Sequence, residues 1–216
     1  MILFFLLTLV GATIAGPQDY SLAKRYEQDK VFRSAAEYYK RYLNDKPASD
    51  KVYQARWGLA RSLNKLNQQD EALFYYDLLD KEHPHAKEKD QILFEMAELL
   101  EKLQKQASAD KYYQVALMGR SKLHRKAHYK SVDRSYSYGD LESAKTRAKT
   151  FLKKYKKGND ISQIYLWLGL ASINEKAFEQ AIDYLKQSLE LVENPETWLA
   201  LGRVEVQLKT GTPSVS

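Results

Sequence analysis

His124 and His128 stand four residues apart, a spacing that sets two imidazoles on one face of a helix where they could hold zinc. Arg120, Lys122, Arg125, Lys126 and Lys130 crowd the same stretch and disfavour a divalent cation, so a solvated basic helix is expected there instead. His83 and His85 flank Pro84 in a turn and read as surface residues. Other routes to catalysis are poorly supplied. The chain has no cysteine, which removes thiolate nucleophiles, disulfides and Cys-ligated zinc. No Gly-rich phosphate loop, His-Glu-x-x-His or Gly-x-Ser-x-Gly occurs, and the acid pairs Glu95/Glu98 and Glu98/Glu101 read as helix-surface charge. The expectation is a protein that is not an enzyme, with no catalytic residue, metal or cofactor.

The elements that would position any functional side chain come from an internal repeat. Sliding the sequence by 37 residues carries Leu22, Ala23 and Tyr26 onto Leu59, Ala60 and Leu63, then onto Met96, Ala97 and Leu100. Likewise Ala35, Tyr39 and Tyr42 fall on Ala72, Tyr76 and Leu79, then on Ala109, Tyr113 and Ala116. A fourth copy holds Val132, Ala144, Ala148 and Phe151, and a fifth holds Tyr165, Leu168, Gly169, Ala181 and Leu185. Half of a sixth follows, with Trp198, Leu201 and Gly202. Apolar and small residues recur with the 3.6-residue helical period, broken at Asn44–Pro47, Asn67–Asp70, His83–His85, Gly139–Asp140 and Gly158–Asp160. Each copy is therefore a helix pair. Ala23 and Ala35 mark close approach of two helices, and Tyr39 and its equivalents fill the gap toward the next pair. One pair cannot bury its own apolar face, so neighbouring pairs must complete the core.

The spacing, the Ala/Gly of the first helix, the Ala-x-x-x-Tyr of the second and the closing Pro resemble the tetratricopeptide repeat. The resemblance covers about residues 17–208, departing from the commonest 34-residue form by three residues per unit and by a weak first-helix pattern in "KLHRKAHYKSVDRSYSYGD". It implies an all-α, right-handed α-solenoid of about five and a half helix pairs over residues 16–208. The longer unit is similar to tetratricopeptide scaffolds of the bacterial envelope, the barrel-assembly lipoprotein and the Tol–Pal coordinator, though the lipoprotein's anchoring cysteine is absent. Proteins so built hold other proteins and do no chemistry.

In such a solenoid the first helix of each pair lines the concave side. The face beside the packing residues then reads Tyr20 and Lys24; Trp57, Arg61 and Asn64; Phe94, Glu98 and Glu101; Tyr129, Asp133 and Tyr136; Leu166, Leu170 and Ile173; Leu199, Arg203 and Val206. Aromatics and Arg dominate binding hot spots, which makes this stripe the candidate groove for partner proteins or peptide segments. The alternative is that a tight superhelix buries the same residues as packing. The family's Lys/Asn clamp for a C-terminal carboxylate is not carried over, because aromatics occupy the place of its first lysine. The last half-repeat is apolar on several sides, through Trp198, Leu199, Leu201, Val204, Val206 and Leu208. It is either packed or open to a partner or a second copy.

Two features bear on location. Residues Ile2–Val10 form an apolar run followed by small residues to Ala15, which reads as a signal peptide over 1–15, although no Lys or Arg precedes the run. It falls short of the ~20 residues a spanning helix needs, and the alternatives to cleavage are an uncleaved short anchor that keeps the protein membrane-associated and a buried first helix. Export to the periplasm or cell envelope is expected, which puts nucleic acid out of reach, and residues 209–216 read as a disordered tail. Charge is uneven: the chain carries +6, while thirteen Lys/Arg against three acids give residues 120–157 alone +10. That block is either an attraction for anionic lipid or cell-wall polymer or a solvated outer face.

Overall fold

A computed structural model describes residues 17–45 and 51–210. The expected signal peptide lies outside these residues. The expected tail does so from residue 211 onward, since Lys209 and Thr210 complete the last helix. The described residues are all-α. They form α1 (Pro17–Gln28), α2 (Phe32–Asn44), α3 (Lys51–Lys65), α4 (Gln69–Glu82), α5 (Lys89–Lys102), α6 (Ala107–Met118), α7 (Lys122–Ser137), α8 (Leu141–Lys154), α9 (Asp160–Asn174), α10 (Phe178–Leu191) and α11 (Pro195–Thr210). These are five antiparallel-type helix pairs and a single closing helix. The chain divides after Ala86 into two compact units, with α1–α4 in the first and α5–α11 in the second.

The period has a backbone origin. Each of the five turns inside a pair holds one residue in the left-handed region: Lys30, Asn67, Gln104, Gly139 and Lys176, with φ between 53° and 77°. At each turn the residue after it donates its N–H back to a carbonyl in the last turn of the preceding helix: Val31 to Tyr26, Gln68 to Leu63, Lys105 to Leu100, Asp140 to Ser135 and Ala177 to Ser172, at 2.8–2.9 Å. This is the Schellman closure, which satisfies orphan carbonyls and reverses the chain within three or four residues. Three of these turns, at Lys30, Gln104 and Lys176, carry no Gly, Pro or Asn at the left-handed position.

Small residues then set how closely helices pack. In the first unit Ala23, Ala35, Ala55, Ala60 and Ala72 are fully buried, and the ring of Tyr39 occupies the space a Cβ at Gly58 would need. Tyr39 of the first pair therefore fills against α3 of the second, as the repeat predicts. In the second unit α7, α8 and α9 share a cluster of Val132, Ala148, Phe151, Ile161, Ile164, Trp167 and Leu168. A further cluster of Leu166, Leu185, Ala200 and Leu201 joins α9, α10 and α11. On α6 the fully buried tyrosine is Tyr112, with Tyr113 beside it only half-buried, so the filler position shifts by one residue from the expected Tyr113.

The weak first-helix pattern of the fourth copy still forms α7. Ser121 caps it, accepting from the His124 N–H, while the His124 Nδ1 accepts from the Ser121 N–H at 3.2 Å. An imidazole thus takes the place that Glu or Gln holds in the usual capping box.

Candidate functional site

The first unit gathers four of the expected groove residues. Tyr20, Lys24, Trp57 and Arg61 line a recess of about 350 Å³ together with Glu27, Gln28, Tyr39 and Gln54. Helices α1 and α3 supply most of its walls. Its floor is held by one carboxylate, since Glu27 accepts from Arg61 Nε at 2.7 Å and from the Tyr39 hydroxyl at 2.7 Å. Burial, then the Glu27 hydrogen bond, push the Tyr39 phenol far above its ordinary range, which keeps it a neutral donor. The Arg61 guanidinium also lies 4.5 Å from the Trp57 ring centre, and Tyr20 packs edge-on to Tyr39 at 6.2 Å. The aromatic walls are thereby fixed before any ligand arrives. Lys24, Arg25 and Lys51 border an adjoining recess beside Tyr20, so the rim is cationic while Glu27 is already neutralised. Asn64 does not line either recess.

In the second unit the expected residues do not form an open stripe. Phe94 (3% exposed) and Leu166 (0%) are core residues, which corrects their assignment to an accessible groove. Phe94 packs on Tyr112 with ring centres 5.4 Å apart, and Leu166 belongs to the cluster between α9, α10 and α11, where Leu170 also packs. Tyr129 and Tyr136 both lean on Trp167, at 5.2 and 6.3 Å. Glu98 meets Lys126 at 3.5 Å, and Asp133 pairs with Arg134. Glu101 repeats the role of Glu27, accepting from the Tyr112 hydroxyl of its own pair and from Lys130 of the next first helix. Burial opposes the charge on Glu101, yet these two hydrogen bonds with the Lys130 and Arg134 charges hold its carboxyl below the usual range. Leu199 and Arg203 are exposed on α11, where with Trp198, Gly202, Val206 and Gln207 they line a shallow recess of about 520 Å³.

The histidines of α7 are not on a solvated basic helix. His124 is buried in the cap described above. His128 is fully buried among Tyr113, Phe151 and Tyr155, with Nε2 3.0 Å from the Arg147 carbonyl. A carbonyl only accepts, so the proton sits on Nε2, and Nδ1 has no hydrogen-bond partner. Among the described residues no group of three His, Asp or Glu could hold a metal. The basic block is also largely consumed: Arg125 pairs with Asp160, Lys126 with Glu98, Lys130 with Glu101, Arg134 with Asp133, Lys145 with Glu175 and Arg147 with Asp110. Lys154 donates to the Ala116 carbonyl at 2.5 Å. Exposed cations remain at Arg120, Lys122, Lys149, Lys153, Lys156 and Lys157.

No family model and no curated relative matches the chain. Solved structures do. YrrB, described as a TPR protein with an unusual peptide-binding site, superposes with a TM-score of 0.61 at 12% identity, covering 87% of this chain and 90% of that one. The chain has the tetratricopeptide fold. MamA matches with a TM-score of 0.59 at 14% identity, over 92% of this chain and 97% of its own. The C-terminal part of a TPR repeat-containing protein from Cytophaga hutchinsonii matches with a TM-score of 0.59 at 16% identity, over 89% and 72%. Helix pairs with the tetratricopeptide fold thus extend through both units, with the register that the left-handed turn residues mark.

Residues that sequence reasoning missed are Glu27, Gln54 and Lys51. Glu27 had a usable signal: it precedes the left-handed Lys30 by three residues, as Glu101 precedes Gln104. Gln54 and Lys51 carry none, because their place at the recess follows from how α3 packs beside α1.

Proposed function

We propose that this tetratricopeptide protein is a non-enzymatic interaction scaffold that binds segments of partner proteins at the α1–α3 recess of its first unit. The observation that carries the reading is a preorganised aromatic recess, Tyr20 and Trp57 with Arg61 held on Glu27, whose rim carries the cations Lys24 and Lys51. Rigid aromatics and Arg bind at low ordering cost, and a cationic rim favours segments in which an apolar side chain is flanked by acidic residues. The peptide-binding site named for YrrB supports peptides as the partner class. Selection of a random peptide library against the full chain, followed by titration of the winners, tests it. Trp57→Ala should weaken selected peptides by about 30-fold with helicity unchanged; peptides indifferent to that change would overturn the reading.

We also propose that the scaffold works in the cell envelope after export, alongside envelope proteins. Support comes from the apolar run Ile2–Val10 with small residues to Ala15, and from the resemblance to barrel-assembly and Tol–Pal scaffolds. N-terminal sequencing of the native protein checks this, with a start near Gly16 expected and an intact Met1 in the cytoplasmic fraction against it. Binding of anionic lipid or polymer by residues 120–157 has less support, since six of the thirteen cations there already pair with carboxylates.

A further inference from the structure

Helix α11 is the first helix of a pair whose second helix is missing from the described residues. Its positions correspond to those of α9 at a 33-residue step: Trp198 to Tyr165, Leu199 to Leu166, Gly202 to Gly169 and Val206 to Ile173. In α9 these positions are covered, by α10 together with the buried side of α11. Tyr165 stacks on Tyr184, Leu166 shares a buried cluster with Leu185 of α10 and with Ala200 and Leu201 of α11, Ile173 packs against that cluster, and a Cβ at Gly169 would fall 2.7 Å from the Leu185 side chain. In α11 the counterparts are exposed. Trp198 is 54% exposed, Leu199 56% and Val206 59%, and a Cβ at Gly202 would meet nothing within 4 Å. The opposite face, through Ala200, Leu201 and Val204, is buried against the rest of the unit.

A glycine in an exposed mid-helix position is unfavourable relative to alanine, and the equivalent Gly169 is a place of close approach filled by Leu185, so Gly202 marks a face that a neighbour can approach closely. Trp198 lies four residues before Gly202 and Val206 four after, so the face is symmetric about the glycine. Acidic Glu196 lies in the first turn and basic Lys209 in the last. We propose that this face docks on α11 of a second copy, antiparallel, with the two-fold axis at Gly202. That arrangement sets each Trp198 against Val206 of the other chain and lets the two backbones close at glycine. Each acidic N-terminal end then faces a basic C-terminal end, and the two helix dipoles oppose. A parallel pair would stack like charges and like dipole ends.

Sedimentation velocity on the full chain from about 1 to 200 μM tests the proposal, because dimer population must follow mass action. A dimer is expected, with Trp198→Glu and Val206→Lys each weakening it by at least about 30-fold while helicity stays unchanged. Only the antiparallel register puts residue 198 opposite residue 206. The same chain carrying both Trp198→Glu and Val206→Lys therefore regains dimerisation through two Glu–Lys pairs. A wild-type chain that stays monomeric overturns the proposal and leaves the face to another protein's helix. So does association that survives Trp198→Glu, or a folded double variant that shows no recovery.

Discussion

Acid should destabilise the second unit through one side chain, His128. The ring is fully buried between α6 and α8, faced by Tyr113 on one side and by Phe151, Tyr155, Arg147 and Lys154 on the other. Burial pulls its pKa down to about 4 against the hydrogen bond to the Arg147 carbonyl, which works the other way, and the Lys154 and Arg147 charges depress it further. An unfolded chain restores the ordinary value near 6.5, so the unfolded state takes up a proton at a higher pH than the folded state. Stability is therefore whole above pH 6.5, falls as pH drops through 6.5 toward 4, and has lost the full contribution below 4. Linkage gives about 2 kcal/mol lost between pH 7.5 and 5, and about 3 kcal/mol in all. Urea unfolding followed by circular dichroism at stepped pH measures it, with His128→Phe as the reference for titration of carboxylates elsewhere. The difference between the two proteins should grow as pH falls from 6.5 to 4.5. Parallel pH profiles for wild type and variant would refute the buried neutral imidazole.

Four further outcomes rest on packing, backbone and charge. Gly58→Ala should destabilise the first unit by at least about 1–3 kcal/mol, because the new Cβ meets the Tyr39 ring held by Glu27; thermal melts of the purified variant check this, and a Tm equal to wild type would contradict it. Gly139→Ala meets no atom within 4 Å, so its loss of about 1 kcal/mol in urea unfolding would be backbone strain alone. Lys176→Gly, at the equivalent turn, should instead hold or raise stability. Co-sedimentation with vesicles of anionic lipid should be weak and vanish in moderate salt, because the remaining cations of residues 120–157 are exposed and readily screened.

The repeat was legible because its small residues are positions of close approach. Ala23, Ala35, Ala60, Ala72, Ala97, Ala144, Ala148 and Ala181 are all buried where the period places them. The turns at Lys30, Gln104 and Lys176 were not legible, since Lys and Gln have no turn preference and enter the left-handed region despite the cost of a Cβ there. The groove was half legible. Trp57 and Arg61 reach the recess, but adjacent helix positions differ by about 100° around the axis, which is enough to turn Phe94 and Leu166 into core. Charge misled for a different reason. Lys130–Glu101, Lys145–Glu175, Arg125–Asp160 and Arg147–Asp110 are 29, 30, 35 and 37 residues apart, about one repeat. A basic segment is thus compensated by its neighbours in space, and counting charge along the chain hides this. The i, i+4 histidines mark a helix face correctly, but whether that face is wet depends on α6 and α8, and no local pattern reports it.

The central claim, that the aromatic recess of the first unit receives partner segments, is most directly tested by hydrogen exchange on the full chain with a library-selected peptide bound. Protection should rise over residues 17–28 and 51–65 and should disappear in Trp57→Ala. Protection confined to other helices, or the same protection in the variant, would contradict it.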